Sequence, residues 1–195
     1  KGLVLVEKPL FRGTEDLDVS CFKKVLVGYN MRFHPLIRRL RAELMGQTVF
    51  TVQACVGKDI RTWRPGTDYR ACYSAFVDAG GGALRDLSHE LDYTLWLLSG
   101  WRCVTAVGGH VSKLEIETDD VFSVLLRTGL CNNVFVHMNY VDPVGRRTVL
   151  VITAEKTIEL DLLRGTIAIN DNKEDCPADR DLTYREMHKA ILRDD

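Results

Sequence analysis

The sequence predicts an α+β protein: a mostly antiparallel sheet, preceded by the last two strands of a doubly wound parallel sheet. Three observations predict it. Two short, continuous apolar runs, 2–6 and 25–29, open the chain as strands buried on both faces do. Two helical patterns come next, before rather than between the later strands. Six strand-like segments then follow one another, most of them linked by short turns, as in an antiparallel sheet.

The first helix starts at His34-Pro35, where proline suits the first turn, and carries Leu36, Ile37, Leu40 and Leu44 as a stripe up to a stop at Gly46. Residues 48–56 alternate as a half-buried strand does. Residues 57–79 form a long loop rich in charge and aromatic rings, including Trp63, Arg64, Tyr69 and Tyr73; loops of this length are usually functional. Three glycines, Gly80 to Gly82, precede a helix predicted over 83–98 and stopped by Gly100. Strands are expected at 104–111, 121–127, 134–141, 148–153, 157–162 and 166–169, with turns at 128–129, 142–145 and 164–165. A helical tail runs over 179–192 with no clear stop.

Composition narrows the function. The 195 residues are 46% hydrophobic with a net charge of −1, enough for a core and without the basic footprint of a nucleic-acid or membrane-surface binder. Apolar runs are strand-sized, so no membrane span and no signal peptide are expected. The chain opens on Lys1 rather than Met, which predicts that it begins inside a longer protein. Six scattered cysteines without a C-x-x-C pair read as reduced thiols in a cytoplasm, with neither a disulfide framework nor a metal site.

On a wheel of about 100° per residue, Leu84, Leu87, Leu91, Leu95 and Leu98 form the core stripe of the 83–98 helix. Asp86, His89, Tyr93 and Trp96 form a second stripe, suited to the floor of a polar pocket. A histidine beside a carboxylate is expected to titrate near neutral pH, as a general base needs; alternatively Asp86 is a helix-dipole partner in the first turn. The glycines either lead flexibly into the helix or allow backbone to approach a ligand closely. No G-x-G-x-x-G and no Walker lysine occurs anywhere in the chain.

Three motifs carry a resemblance. Glu7-Lys8-Pro9 after the first strand resembles the E-K-P signature of the Gfo/Idh/MocA oxidoreductases. Residues 27–35, V-G-Y-N-M-R-F-H-P, and 80–92, G-G-G-A-L-R-D-L-S-H-E-L-D, are similar to that family's other two signatures, in the same order. The resemblance implies a truncated Rossmann remnant at 1–30, lacking its NAD or NADP loop, and a C-terminal substrate-binding and dimerisation domain at 31–195. That domain is expected to form a large open sheet with helices on one face, and a homodimer or tetramer through the open face.

The resemblance also implies an NAD(P)-dependent dehydrogenase of a sugar-type secondary alcohol, inactive as this fragment alone. Lys8 and His89 match the catalytic lysine and histidine. Asp86 matches the catalytic aspartate, one residue closer to the histidine than in many members. Glu7, Lys8, Pro9, Trp63 and Arg64 are the cofactor-side candidates, and Arg32, Tyr69 and Tyr93 the substrate-side ones. A non-catalytic ligand-binding or dimerisation module, or a reductase of another small carbonyl compound, remains the alternative.

Overall fold

The computed structural model describes residues 2–10, 13, 16–179 and 181–193. Strands β1 (Leu3–Val6) and β2 (Lys24–Val27) pair in parallel, Leu3 opposite Lys24 and Val6 opposite Val27. A 3-10 turn at Asn30–Phe33 leads into α1 (Pro35–Glu43), capped by His34, whose ring Nδ1 accepts the Leu36 amide at 3.2 Å. Helix α1 buries Leu36, Ile37 and Leu40, the stripe expected from the sequence.

The main sheet has eight strands: β3 (Val49–Gly57), β4 (Trp101–Gly109), β5 (Val121–Thr128), β6 (Val134–Asn139), β7 (Arg146–Thr153), β8 (Thr157–Asp161), β9 (Thr166–Ile169) and β10 (Asn172–Asp175). Their order is β10-β9-β8-β7-β3-β6-β5-β4, antiparallel except for β3 beside β6. Alternation places Val52, Ala54, Val124, Leu126, Val134, Val136, Met138, Val149, Val151, Ile158 and Leu160 in the core. Phe50, Val107, Leu125 and Ile152 remain exposed.

Three expectations needed correction. The 142–145 segment is not a hairpin turn: β3 lies between β6 and β7, so the link steps over it. It is stitched there by the Lys58, Asp59 and Ile60 amides, which donate to the carbonyls of Asn139, Asp142 and Tyr140. Strand β7 begins at Arg146 rather than 148, which makes Arg147, expected in neither turn nor strand, a strand residue with Val149 and Val151 on its face. Strand β10, charged and exposed along its length, gave no alternating signal.

The 83–98 helix is also broken. Helix α2 (Ala83–Asp86) ends at Leu87, and α3 (His89–Leu97) restarts after Ser88. The Ser88 and Glu90 amides donate three residues back, to Arg85 and Leu87, which tightens the chain into a 3-10 turn at this point. Helix α3 is thereby rotated: it buries Glu90, Tyr93, Thr94 and Leu97, while Leu91 and Leu95 are only partly buried. The C-terminal helix α4 (Leu182–Leu192) returns to pack on β1, β2 and the 30–33 turn.

The glycines serve packing of the chain upon itself. A Cβ on Gly81 would lie 2.5 Å from the backbone oxygens of both Tyr73 and Ser74, and Gly82 has φ +108° with Asp119 against it. The close approach at Gly81 is to the backbone of the 73–75 turn. Gly81→Ala should destabilise the protein by about 1–3 kcal/mol through forced displacement of that turn; a chemical denaturation midpoint equal to wild type would contradict it.

Candidate active site

Asp86, 6% exposed, is the centre of the cluster. Its carboxylate accepts hydrogen bonds from the Tyr73 hydroxyl, from Ser74 Oγ at 2.7 Å and from the Tyr140 hydroxyl at 3.0 Å. These donors come from the 57–79 loop and from the residue just past β6. Lys8, immediately beyond β1, reaches across: its Nζ donates to the Asp86 carbonyl and lies 3.7 Å from Asp86 Oδ1. The cluster thus joins the parallel strand pair to the helix and sheet of the main body. Burial lowers the Lys8 pKa, and the Asp86 charge partly restores it. Tyr73 and Tyr140 are raised, first by burial and then by the same carboxylate.

His89 opens α3. The Tyr29 ring meets it edge-on with centroids 5.7 Å apart, and Tyr29 follows β2 much as Lys8 follows β1. Its Nδ1 is buried with no hydrogen-bond partner, Asp86 included. Burial pushes its pKa down to about 3, helped by the positive charges of Arg147 and Lys8. The expected Asp86–His89 couple, titrating near neutral pH, is therefore corrected. The tight turn at 87–88 parts the two residues, so Asp86 serves Lys8 and leaves the imidazole neutral.

The remaining candidates separate. Arg64 is exposed, with its guanidinium 5.2 Å from the Tyr73 ring centre, and Trp63 packs edge-on against Tyr140 at 5.5 Å. Both flank the Asp86 cluster through its hydroxyl donors. Glu7 is exposed with its carboxylate against Gly28, and Pro9 lies near Gly80. Tyr69 lines a cavity of about 280 Å³ whose wall Tyr140 shares, and its hydroxyl accepts the Glu115 amide at 3.3 Å.

Arg32 and Tyr93 are not brought to the cluster. Arg32 is committed to a bidentate pair with Asp92, at 2.8 and 2.5 Å, in a cavity of about 970 Å³ between β2, α1 and α3. Tyr93 is wholly buried, because the rotation of α3 turns it into the core. Residues overlooked in the sequence are Ser74 and Tyr140, whose hydroxyls reach Asp86 from distant elements, and the pair Glu90–Arg147. Arg147 Nε and Nη2 hold Glu90 Oε1 and Oε2 at 2.7 and 3.1 Å. Half of the signal for that pair lay in the sequence, a charge next to His89; the inward position of Arg147 follows only from the sheet register. Among the described residues no group of three or more His, Cys, Asp or Glu could hold a metal ion, and no helix is long and apolar enough to cross a membrane.

At the carboxyl ends of parallel strands, where open sheets of this kind receive ligands, stand Lys8 and Tyr29, with the unpartnered nitrogen of His89 beside them.

Solved structures share this fold. UDP-N-acetylglucosamine 3-dehydrogenase GnnA from Acidithiobacillus ferrooxidans is 19% identical, with 86% of this chain and 51% of that chain covered at a TM-score of 0.64. Levoglucosan dehydrogenase in complex with NADH is 19% identical, with 87% and 52% covered at 0.70. GenD2 from gentamicin A biosynthesis, in complex with NAD, is 22% identical, with 86% and 52% covered at 0.65. At these identities the likeness is one of fold, and this chain spans about half the length of each. No curated protein matches it. The model of the GFO/IDH/MocA C-terminal domain matches residues 42–159, more than half of the chain, and with the three signatures and the sheet in place the protein belongs to the Gfo/Idh/MocA family.

Proposed function

We propose that this chain is the substrate-binding and catalytic part of an NAD- or NADP-dependent dehydrogenase acting on a secondary alcohol of a sugar or sugar derivative. The observation that carries the reading is the placement of an anchored lysine and a neutral, unpartnered imidazole together at the carboxyl ends of the parallel strands. The neighbours named for UDP-N-acetylglucosamine and levoglucosan support a carbohydrate substrate.

Oxidation of an alcohol removes a hydride from carbon and a proton from oxygen. Nicotinamide, when bound, takes the hydride. His89, neutral because burial and two nearby cations disfavour its protonated form, accepts the proton. The Lys8 ammonium offers a charge-assisted hydrogen bond to the oxygen as negative charge develops on it. Asp86 holds Lys8 rather than His89, and three hydroxyl donors keep the carboxylate fixed. Glu7, Lys8 and Pro9 form the cofactor-facing wall, with Arg64 and Trp63 on its flank. Tyr69 borders the substrate side through the cavity it shares with Tyr140. The exposed apolar residues on the open sheet face, Phe50, Leu125 and Ile152 among them, support association of two copies there.

In the full-length enzyme, His89→Ala should lower kcat by about 10²-fold or more while the cofactor Kd, followed by nucleotide fluorescence, stays as in wild type. Retained turnover would remove His89 as the base.

The two buried imidazoles also predict a pH dependence of stability. His34 and His89 have pKa values of about 4 and about 3 in the folded chain, against 6.5 unperturbed. Below 6.5 the unfolded chain binds the additional protons, so their contribution to stability is whole above that pH and is lost as pH falls toward the folded values. The thermal midpoint should fall between pH 7 and roughly pH 4.5. His34→Asn, which keeps an acceptor for the Leu36 amide, should make that fall shallower; an equally steep fall would contradict the assignment.

A further inference from the structure

Helix α3 turns the wrong face to the sheet for an ordinary core helix. Its sequence offers Leu91 and Leu95 at core spacing, yet both are only partly buried, and the buried set within the helix is Glu90, Tyr93, Thr94 and Leu97. The setting even leaves the Thr94 hydroxyl buried without a hydrogen-bond partner. What matches this polar face is Arg147. It stands on the inward side of β7, opposite Val56 of β3, and its guanidinium forks onto the Glu90 carboxylate. Glu90 has no exposed side-chain surface and Arg147 has 21%. Tyr93 adds its hydroxyl to Glu90 at 3.5 Å.

We propose that the Glu90–Arg147 pair is the positioning device of the site: it sets the rotation of α3, and so the aim of His89, and it fixes a permanent positive charge behind the imidazole. This inference rests on the reading of His89 as the base.

Rotation follows from connectivity. Glu90 is the residue after His89, so a helix pinned at Glu90 has no freedom to swing the imidazole away from Lys8 and Tyr29. The second pin is Arg32–Asp92, two residues further along and so near the other flank of the helix. The charge follows from chemistry, since a guanidinium does not deprotonate in proteins. The groups around the imidazole are Lys8 after β1, Tyr29 after β2, His34 before α1, Asp86 on α2, Glu90 and Asp92 on α3 itself, and Arg147 on β7. Asp86 is engaged by Lys8, Asp92 by Arg32 and Glu90 by Arg147. Each carboxylate is thus committed to another partner, and protonation of His89 is disfavoured first by burial and then by the cations Arg147 and Lys8. His34 is held neutral as well: its Nδ1 accepts a backbone amide, which requires that nitrogen to be unprotonated, and burial and then Arg147 lower its pKa.

The test uses the full-length enzyme with ¹³C-labelled histidine, the His89 resonance being assigned by its loss in His89→Gln. In the wild type the His89 signal should not titrate between about pH 5 and 8. In Glu90→Gln/Arg147→Met, which removes both charges together and avoids a lone buried ion, its titration should move to higher pH than in the wild type, short of the free value because burial, the larger cause, remains. A His89 titration unmoved in the folded double variant overturns the proposal. Arg147→Lys covers the case in which the double variant does not fold. It keeps the charge and loses the fork, so His89 should remain silent while kcat falls about tenfold and cofactor Kd is unchanged. An unchanged kcat there overturns the positioning role. The His89→Ala turnover measurement separates the two readings: if that variant stays active while His89 titrates in the double variant as stated, the base assignment fails and the electrostatic inference stands.

Discussion

The contact between Lys8 and Asp86 is the constraint from which the rest of the site takes its shape. Lys8 lies two residues past β1 of the parallel pair, and Asp86 ends a one-turn helix lying on the main sheet. Bringing a buried carboxylate to that point is costly unless its lone pairs are filled. The protein fills them with hydroxyls of Tyr73, Ser74 and Tyr140. Those hydroxyls in turn dictate the course of the 57–79 loop, whose 73–75 turn must press against Gly81. They also dictate the exit from β6, where Tyr140 is wholly buried. The loop, the glycines and the over-strand link at 140–145 all serve one carboxylate.

Around this anchor, charge is partitioned. Three acidic side chains within seven residues, Asp86, Glu90 and Asp92, each take one cation: Lys8, Arg147 and Arg32. The cations come from three different elements, so each pair ties the broken α2–α3 segment to a different part of the fold. His89 sits among these pairs and belongs to none. Its neutrality is a product of the whole arrangement rather than of any single contact, and it suits a group that accepts a proton more than one that stores it.

Much of the fold was legible in the sequence because period-2 and period-3.6 patterns report directly on burial. The strands from 121 to 169 and the stripe on α1 are plain in the residues for that reason. What was hidden depended on partners distant in sequence. The insertion of β3 between β6 and β7 could not be read from a short link that resembles a hairpin turn. The break at 87–88 was masked by leucines whose spacing runs on unbroken from 84 to 98. A wheel drawn through that break sent Tyr93 to the pocket, whereas the tightened turn sends it to the core. Lys8 and His89 could be identified from short motifs, since those are local strings. Ser74, Tyr140 and Arg147 could not be placed without the sheet register.

The rotation of α3 is hard to explain by stability alone. Leaving Leu91 and Leu95 only partly buried forgoes roughly 1 kcal/mol each relative to full burial. A buried ion pair is seldom better than an apolar pair of similar volume, and replacing such pairs is often neutral or stabilising by about 1–4 kcal/mol. The helix therefore gives up apolar burial on one side and meets a desolvation cost on the other. In return it obtains a fixed orientation for the residue at its start. A leucine-faced helix could slide or rotate by small steps with little change in energy, because apolar contacts are not directional. A forked guanidinium–carboxylate contact is directional, and here it acts one residue from the imidazole. The less economical core is the one that gives His89 a single aim.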